Sequence, residues 1–199
     1  MPWFGLFLAA VTLGLETATH FDKALFYSLQ THLALDWESL EHFELYRVVV
    51  SPFLQTSPGF SPTIFGLTVI TVPLFELRAR TWRTIVTFFA GDWLSTLPIL
   101  FFLKAAGAFG NETAARLASE PDSGSSSGGF ACMGALALAL PMRLRIPALA
   151  GLVGFFAIRI AFWHRMFDFQ HGLATLVGMA VWLVWERRAR RARRATSET

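Results

Sequence analysis

The chain has 199 residues, of which 54% are apolar and only 16% are charged, and its mean hydropathy is +0.47. An average soluble domain is about 45–50% apolar and about 25% charged, so this composition argues against both an ordinary soluble domain and a disordered chain. Seven tryptophans and twenty phenylalanines also argue against these two classes. The composition predicts an all-α membrane protein.

The cysteine count and the distribution of charge exclude further classes of protein. The single cysteine, Cys132, excludes an intramolecular disulfide framework and a cysteine-based metal centre. The formal net charge of +3 does not indicate nucleic-acid binding, because six arginines are concentrated after the last apolar segment. Such a run is typical of a cytoplasmic stop signal, so the expected partner of the tail is anionic lipid headgroups and not nucleic acid. The six are Arg187, Arg188, Arg190, Arg191, Arg193 and Arg194.

Six segments approach the roughly 20 apolar residues that a membrane-spanning helix needs. They cover residues 3–19, 48–75, 84–103, 128–140, 146–163 and 169–185. No basic residue precedes the first segment, which is therefore expected to be a retained helix and not a signal peptide. Residues 21–46 mix charged and apolar side chains, as expected of a loop with amphipathic pieces at the membrane interface. The second segment is too long for one span and rich in proline, so its first part is expected to be non-helical.

Basic residues near the ends of the segments predict the orientation. With six spans both termini lie on one side, and that side holds eleven basic residues: three in 78–83, two in 143–145 and six in the tail. The opposite loops hold five. The positive-inside rule therefore places both termini in the cytoplasm. The expected organisation is one six-helix membrane domain over residues 1–186, followed by a basic cytoplasmic tail over 187–199.

The fourth segment is too short to cross the membrane. Thirteen residues rise only about 20 Å, whereas the hydrocarbon core is about 30 Å thick. Its outer end should therefore lie below the membrane surface, and there it is preceded by the polar, glycine-rich stretch 122–129. Backbone of this kind is tolerated at that depth only against protein or water. The sequence thus predicts a cavity that opens to the outside.

Two chemically reactive residues enter the membrane from that side. Ser126 precedes the fourth segment, and His171 lies in the first turn of the sixth. A serine hydroxyl becomes a good nucleophile when a neighbouring base accepts its proton, and histidine titrates in the right range to do so. Gly172, Ala174 and Gly178 carry little bulk and would let the two helices approach closely. The sequence therefore predicts a Ser126–His171 hydrogen bond.

Each of these reactive residues also has a purely structural interpretation. Ser126 could belong to a flexible Ser/Gly linker. His171 could be a histidine that packs between helices and is hydrogen-bonded to a backbone carbonyl or to Asp168. Asp92, within the third segment, is expected to be a buried hydrogen-bond partner, or to lie nearer the membrane surface if the helix is shifted along the chain. Glu76 and Arg78 are expected to form a local ion pair. No metal site is expected, because the remaining histidines, His20, His32, His42 and His164, share no ligand spacing.

Four motifs, in the right order on these segments, resemble those of the rhomboid family of intramembrane serine proteases, over residues 46–185. The family's Gly-x-Ser-Gly motif, with an aromatic residue and then a glycine eight positions after the serine, resembles the stretch from Gly124 to Gly134. Its histidine motif on the sixth helix resembles His171, Ala174 and Gly178. Its arginine before the second helix and its Glu-x-Arg at that helix's end resemble Arg47 and Glu76-Leu77-Arg78.

The resemblance implies a six-helix rhomboid-like bundle with a Ser126–His171 dyad, Ser126 as nucleophile and His171 as base, and no cofactor. The sequence also departs from the family. Counting back from Glu76 places Gln55, Phe60 and Ile64 where the family carries two histidines and an asparagine, the latter two supporting the oxyanion. Ser127 replaces the glycine after the nucleophile, and the expected glycine near Arg80 is missing. Ser127 is the alternative nucleophile, and the choice of Ser126 depends on its spacing to Gly134.

Three functions follow as hypotheses. The first is an intramembrane serine endopeptidase that cleaves transmembrane substrates, and the second is a rhomboid pseudoprotease that binds transmembrane clients without cleaving them. Phe60 and Ile64 favour the second, because they are apolar where the family is polar. The third is a small transporter or channel, which would need several intramembrane charges. The sequence suggests only Asp92 and His171 for that role.

Overall fold

The computed structural model describes residues 1–55, 61–163 and 166–197. Phe60 and His164, which figure in the predictions above, lie outside the described residues. The described chain is helical and contains no β-strand, which confirms the predicted fold class at the level of secondary structure. One isolated antiparallel bridge joins Leu35 to Asp122.

The helices follow one another with short connections. They are α1 (Trp3–Phe21), α2 (Lys23–Leu33), α3 (Trp37–Glu41), α4 (Tyr46–Val50), α5 (Pro62–Phe65), α6 (Val72–Ala79), α7 (Thr81–Ala108), α8 (Glu112–Ala118), α9 (Ser126–Ala139), α10 (Met142–Trp163) and α11 (Met166–Ser197). A π-helical stretch, Gly66–Thr71, joins α5 to α6 into one continuous helix. A 3-10 turn, Ser51–Phe53, follows α4.

Five helices are long and apolar enough to cross a membrane. They are α1, the continuous helix Pro62–Ala79, α7, α10 and α11. The remaining predicted segment forms α9, which has only 14 residues. The composition and length of these helices suggest a membrane protein, as the sequence predicted.

One boundary differs from the sequence prediction. The start of the second apolar segment was expected to be non-helical, but residues 46–53 fold into α4 and the 3-10 turn because local backbone hydrogen bonds form there. The backbone of α11 also extends into the basic tail predicted over residues 187–199, as far as Ser197. Arginine is a good helix former, so the run of arginines does not end the helix.

Glu76 does not form the expected ion pair with Arg78 among the described contacts. Its carboxylate instead accepts hydrogen bonds from the backbone N–H groups of Phe4 and Gly5, at 3.1 and 2.7 Å, and from Thr81 Oγ1 at 2.6 Å. The first N–H groups of a helix have no partner within it, so a carboxylate there both satisfies and stabilises them. Glu76, 3% exposed, thereby ties the start of α1 to the α6–α7 junction.

The centre of the bundle is α9, which packs most extensively against α11 and α7. Small residues permit this packing. A Cβ atom added to Gly134 would stand 2.4 Å from the Thr175 carbonyl oxygen, so only glycine fits there. Gly172, by contrast, has no neighbour closer than 3.9 Å. The predicted close approach of the two helices therefore depends on residues deeper in the bundle than Gly172.

Candidate active site

Ser126 and His171 lie in direct contact. The Ser126 Oγ and the His171 Nε2 are 2.9 Å apart, within hydrogen-bond distance. Ser126 is the first residue of α9, and His171 lies in the second turn of α11. The structure therefore brings together the two residues that the sequence singled out, and Ser126 opens a helix and does not belong to a flexible linker.

The imidazole of His171 is held by an aromatic neighbour. Its ring stacks on the ring of Phe130, with centroids 4.7 Å apart and planes inclined by 29°. Phe130 lies one turn after Ser126 on α9 and is 2% exposed. This stack fixes the plane of the imidazole and directs Nε2 at the Ser126 hydroxyl. Phe130 is also the aromatic residue of the Gly-x-Ser-Gly-like motif.

Gly124 determines the path of the backbone that leads to Ser126. This residue has φ of +118°, a left-handed backbone conformation that favours glycine, and its N–H donates to the Ser51 carbonyl at 3.0 Å. The turn places Ser125 at 0% exposure and Ser127 at 3% exposure, on either side of Ser126. No hydrogen bond joins Ser127 to His171 within the described part of the chain, so the geometry favours Ser126 over Ser127 as the partner of the imidazole.

Asp168 does not bind His171, in contrast to one structural interpretation of the histidine. Its Oδ1 accepts a hydrogen bond from Arg159 Nε at 2.5 Å, and the Asp168 side chain is fully buried. Arg159, on α10, was overlooked at the sequence level as an intramembrane charge. The signal was present, because Arg159 lies inside the fifth apolar segment.

A cavity of about 400 Å³ adjoins the Ser126–His171 pair. Its size falls within the usual range of ligand pockets, about 300–1,000 Å³. The walls are mostly polar and come from six parts of the chain. The polar lining includes Ser51, Asp92, Thr96, Asp122, Arg159 and Gln170. The short fourth segment predicted a polar cavity beside Ser126. The sequence did not show that most of these residues line it.

The residues at the three positions where the rhomboid family carries histidine or asparagine have different environments. Ile64 lines the cavity and is 6% exposed, so an apolar side chain stands there as predicted. The Gln55 side chain instead lines a separate small cavity with Gln30. Phe60 lies outside the described residues. Ser125, the N-cap residue of α9, makes no capping hydrogen bond through its side chain, so the first N–H groups of the helix remain available to bind a negative oxygen.

Asp122 is anchored in the loop before α9. Its backbone N–H donates to the Leu35 carbonyl at 2.6 Å, and its carbonyl accepts from the Leu35 N–H at 2.9 Å. Its carboxylate accepts from Gln170 Nε2 at 3.1 Å. Burial raises the pKa of Asp122 to about 6, although the hydrogen bonds from Gln170 and Thr96 oppose that change.

A second, apolar groove of about 510 Å³ adjoins the site. It lies between the helix Pro62–Ala79, α9 and α10, and Phe130 lines both the groove and the polar cavity. In the apolar stretch of α10, Met142–Phe162, no residue is buried. The groove therefore connects the apolar outer surface of the bundle with the Ser126–His171 pair.

Among the described residues, no group of three or more His, Cys, Asp or Glu side chains is placed to hold a metal ion. Comparisons with protein-family models, with curated proteins and with solved structures give no match.

Proposed function

We propose that this chain is a rhomboid-like intramembrane serine endopeptidase, a six-helix bundle with both termini in the cytoplasm, that cleaves transmembrane substrates through Ser126 and His171. The single observation that carries the proposal is the 2.9 Å contact between the Ser126 Oγ and the His171 Nε2, at the edge of a polar cavity. A nucleophile in hydrogen-bond reach of a base is the characteristic arrangement of nucleophilic catalysis.

The chemistry follows from that contact. His171 Nε2 accepts the hydroxyl proton while the Ser126 oxygen attacks the carbonyl carbon of the peptide bond. The tetrahedral intermediate places its negative oxygen near the uncapped N–H groups at the start of α9. When the carbon–nitrogen bond breaks, His171 returns the proton to the leaving amine. Water then hydrolyses the acyl ester on Ser126 with His171 again as base, which restores the free enzyme.

The length of α9 supports cleavage within the membrane. Its 14 residues rise about 21 Å, less than the roughly 30 Å of the hydrocarbon core. If its C-terminal end lies at the cytoplasmic surface, Ser126 at the other end lies below the outer surface. The polar cavity supplies the space for water that hydrolysis requires at this depth.

The apolar groove supports a transmembrane substrate. Its lining is almost entirely apolar, including Leu67, Met133 and Leu152, and it meets the polar cavity at Phe130. A substrate helix lying in the groove would stay in an apolar environment while its unwound end reached Ser126. The weak packing of α10 would allow the groove to widen.

Cleavage of a transmembrane reporter by the purified protein in lipid vesicles tests the proposal. Loss of cleavage in both Ser126→Ala and His171→Ala supports it. A pseudoprotease is the second candidate, favoured by the apolar Ile64 in the cavity wall. It predicts that the unmodified protein binds the reporter, in a pull-down, and cleaves none of it.

We also propose that the C-terminal extension of α11 binds anionic lipid headgroups. All six arginines of residues 187–194 are exposed on one continuous helix. A basic segment next to the membrane gains about 1 kcal/mol per Lys or Arg from anionic lipid. Replacing four of these arginines by glutamine should lower the affinity of the detergent-solubilised protein for phosphatidylserine and leave its affinity for the neutral phosphatidylcholine unchanged.

A further inference from the structure

Two carboxylates line the polar cavity without a role in the proposed chemistry. Asp92, on α7, and Asp122, before α9, both face the cavity that adjoins Ser126. Asp92 is only 7% exposed, and its carboxylate makes no hydrogen bond within the described part of the chain. A buried carboxylate without a partner is costly, so Asp92 calls for a ligand that offers donors or positive charge.

Helix packing fixes Asp92 beside the start of α9. The preceding residue, Gly91, packs so tightly that an added Cβ would stand 2.1 Å from the Ala131 Cβ and 3.6 Å from the Ser127 carbonyl oxygen. Asp92 therefore lies next to the first turn of α9, which begins at Ser126. Because this contact involves two packed helices, Asp92 cannot move away from the nucleophile without disrupting the bundle.

Asp122 lines the same cavity as Asp92 but belongs to a different part of the chain, the loop before α9. It precedes Ser126 by four residues, and its two backbone hydrogen bonds to Leu35 hold the loop. Gln170, which binds its carboxylate, is the neighbour of His171 in sequence. Both carboxylates are thus fixed close to the reacting pair, and both remain open to the cavity.

The charges that face the cavity do not balance. Asp92 and Asp122 contribute two carboxylates, and the other charged or titratable linings are Arg159, from α10, and His171, from α11. Arg159 is already paired with the fully buried Asp168, at 2.5 Å. Within the described part of the chain, the cavity therefore has an excess of negative charge, and a cation that enters it is attracted by the two carboxylates.

We propose that the cavity is a subsite for the cationic side chain of lysine or arginine, on the residue whose carbonyl Ser126 attacks. This proposal rests on the proposed protease function and names its substrate class. Asp92 pairs with the cation, and Asp122 supports it. The cavity volume of about 400 Å³ accommodates a long side chain.

The first test is a set of transmembrane reporters that differ only at the residue before the cleaved bond. That residue is arginine, its neutral isostere citrulline, alanine or glutamate. The unmodified protein should cleave the arginine reporter at least about tenfold faster than the citrulline reporter, because the buried carboxylate pairs with charge. The preference should disappear in Asp92→Asn and decrease in Asp122→Asn. Glu41→Gln, which removes an exposed carboxylate outside the cavity, should retain it.

Binding provides a readout that is independent of cleavage. Benzamidine, a cationic probe, should bind the Ser126→Ala protein at least about tenfold more tightly than neutral benzamide, and Asp92→Asn should abolish the difference. If no reporter is cleaved but benzamidine shows this pattern, the protease proposal fails, and the cavity binds cations without a role in cleavage. Equal binding of the two probes, or an arginine preference that survives in Asp92→Asn, overturns the subsite and leaves the protease proposal intact.

Discussion

Gly178 of α11 lies directly against Ala131 of α9, so closely that an added Cβ would stand 1.9 Å from the Ala131 carbonyl oxygen. That atom belongs to the backbone and cannot move aside without separating the two helices. Ser126 lies on α9 and His171 on α11, so this contact sets the distance between the two residues.

Gly178→Ala should therefore weaken the Ser126–His171 contact. We expect reporter cleavage to fall by about a hundredfold, since misplacement by about 1 Å can cost that much. Gly172→Ala is the matched control on the same helix, because its nearest neighbour is 3.9 Å away. Equal activity of the two variants would show that the close packing at Gly178 does not position the dyad.

Arg80 should be a strained position. Its φ of +78° and ψ of 153° fall in a region that is essentially restricted to glycine, at a cost of about 1–3 kcal/mol for other residues. Arg80→Gly should raise the free energy of unfolding by about 1 kcal/mol or more, seen as a higher midpoint of thermal unfolding in detergent. Arg78→Gly, in the helical part of α6, should lower it by about 1 kcal/mol. A lower midpoint for Arg80→Gly would contradict the assigned backbone conformation.

The apolar groove should govern access of membrane-embedded substrates. Gly151 lines the groove and Gly154 does not, although both lie on α10 and neither has an atom within 4 Å of an added Cβ. Gly151→Phe should slow cleavage of the transmembrane reporter at least about tenfold and leave labelling of Ser126 by a small fluorophosphonate unchanged. Gly154→Phe should affect neither. If both variants slow cleavage alike, substrate does not enter through the groove.

Stability should depend on the protonation of Asp122. Because burial raises its pKa from 3.8 to about 6, the folded state binds the proton more tightly than the unfolded state does. The stabilisation of the folded state by protonated Asp122 is therefore fully present below pH 3.8 and is lost as the pH rises through about 6. Thermal unfolding in detergent should show this decline in the unmodified protein and a flatter profile between pH 4 and 6 in Asp122→Asn. Parallel profiles for the two proteins would exclude Asp122 as the titrating group.

The sequence predicted those parts of the molecule that follow from local pattern. Apolar length predicted the helices, and the short fourth segment predicted a polar cavity near Ser126. Glycine spacing indicated which helices approach closely, although Gly172 proved to have open space around it.

The sequence could not predict pairings between distant side chains. Glu76 binds the start of α1, 71 and 72 residues away, instead of the nearby Arg78. Asp92 was interpreted as a buried hydrogen-bond partner, whereas its carboxylate lines the cavity beside Ser126. Such contacts depend on how whole helices pack, and no local spacing encodes them.

The central claim is that His171 activates Ser126, and labelling by a fluorophosphonate tests it most directly. The probe should modify the unmodified protein at Ser126, as mapped by peptide mass spectrometry, and His171→Ala should slow labelling at least about a hundredfold because the base is lost. Ser127→Ala is the matched control and should label normally. Labelling that persists in Ser126→Ala, or that is as fast in His171→Ala as in the unmodified protein, would contradict the account.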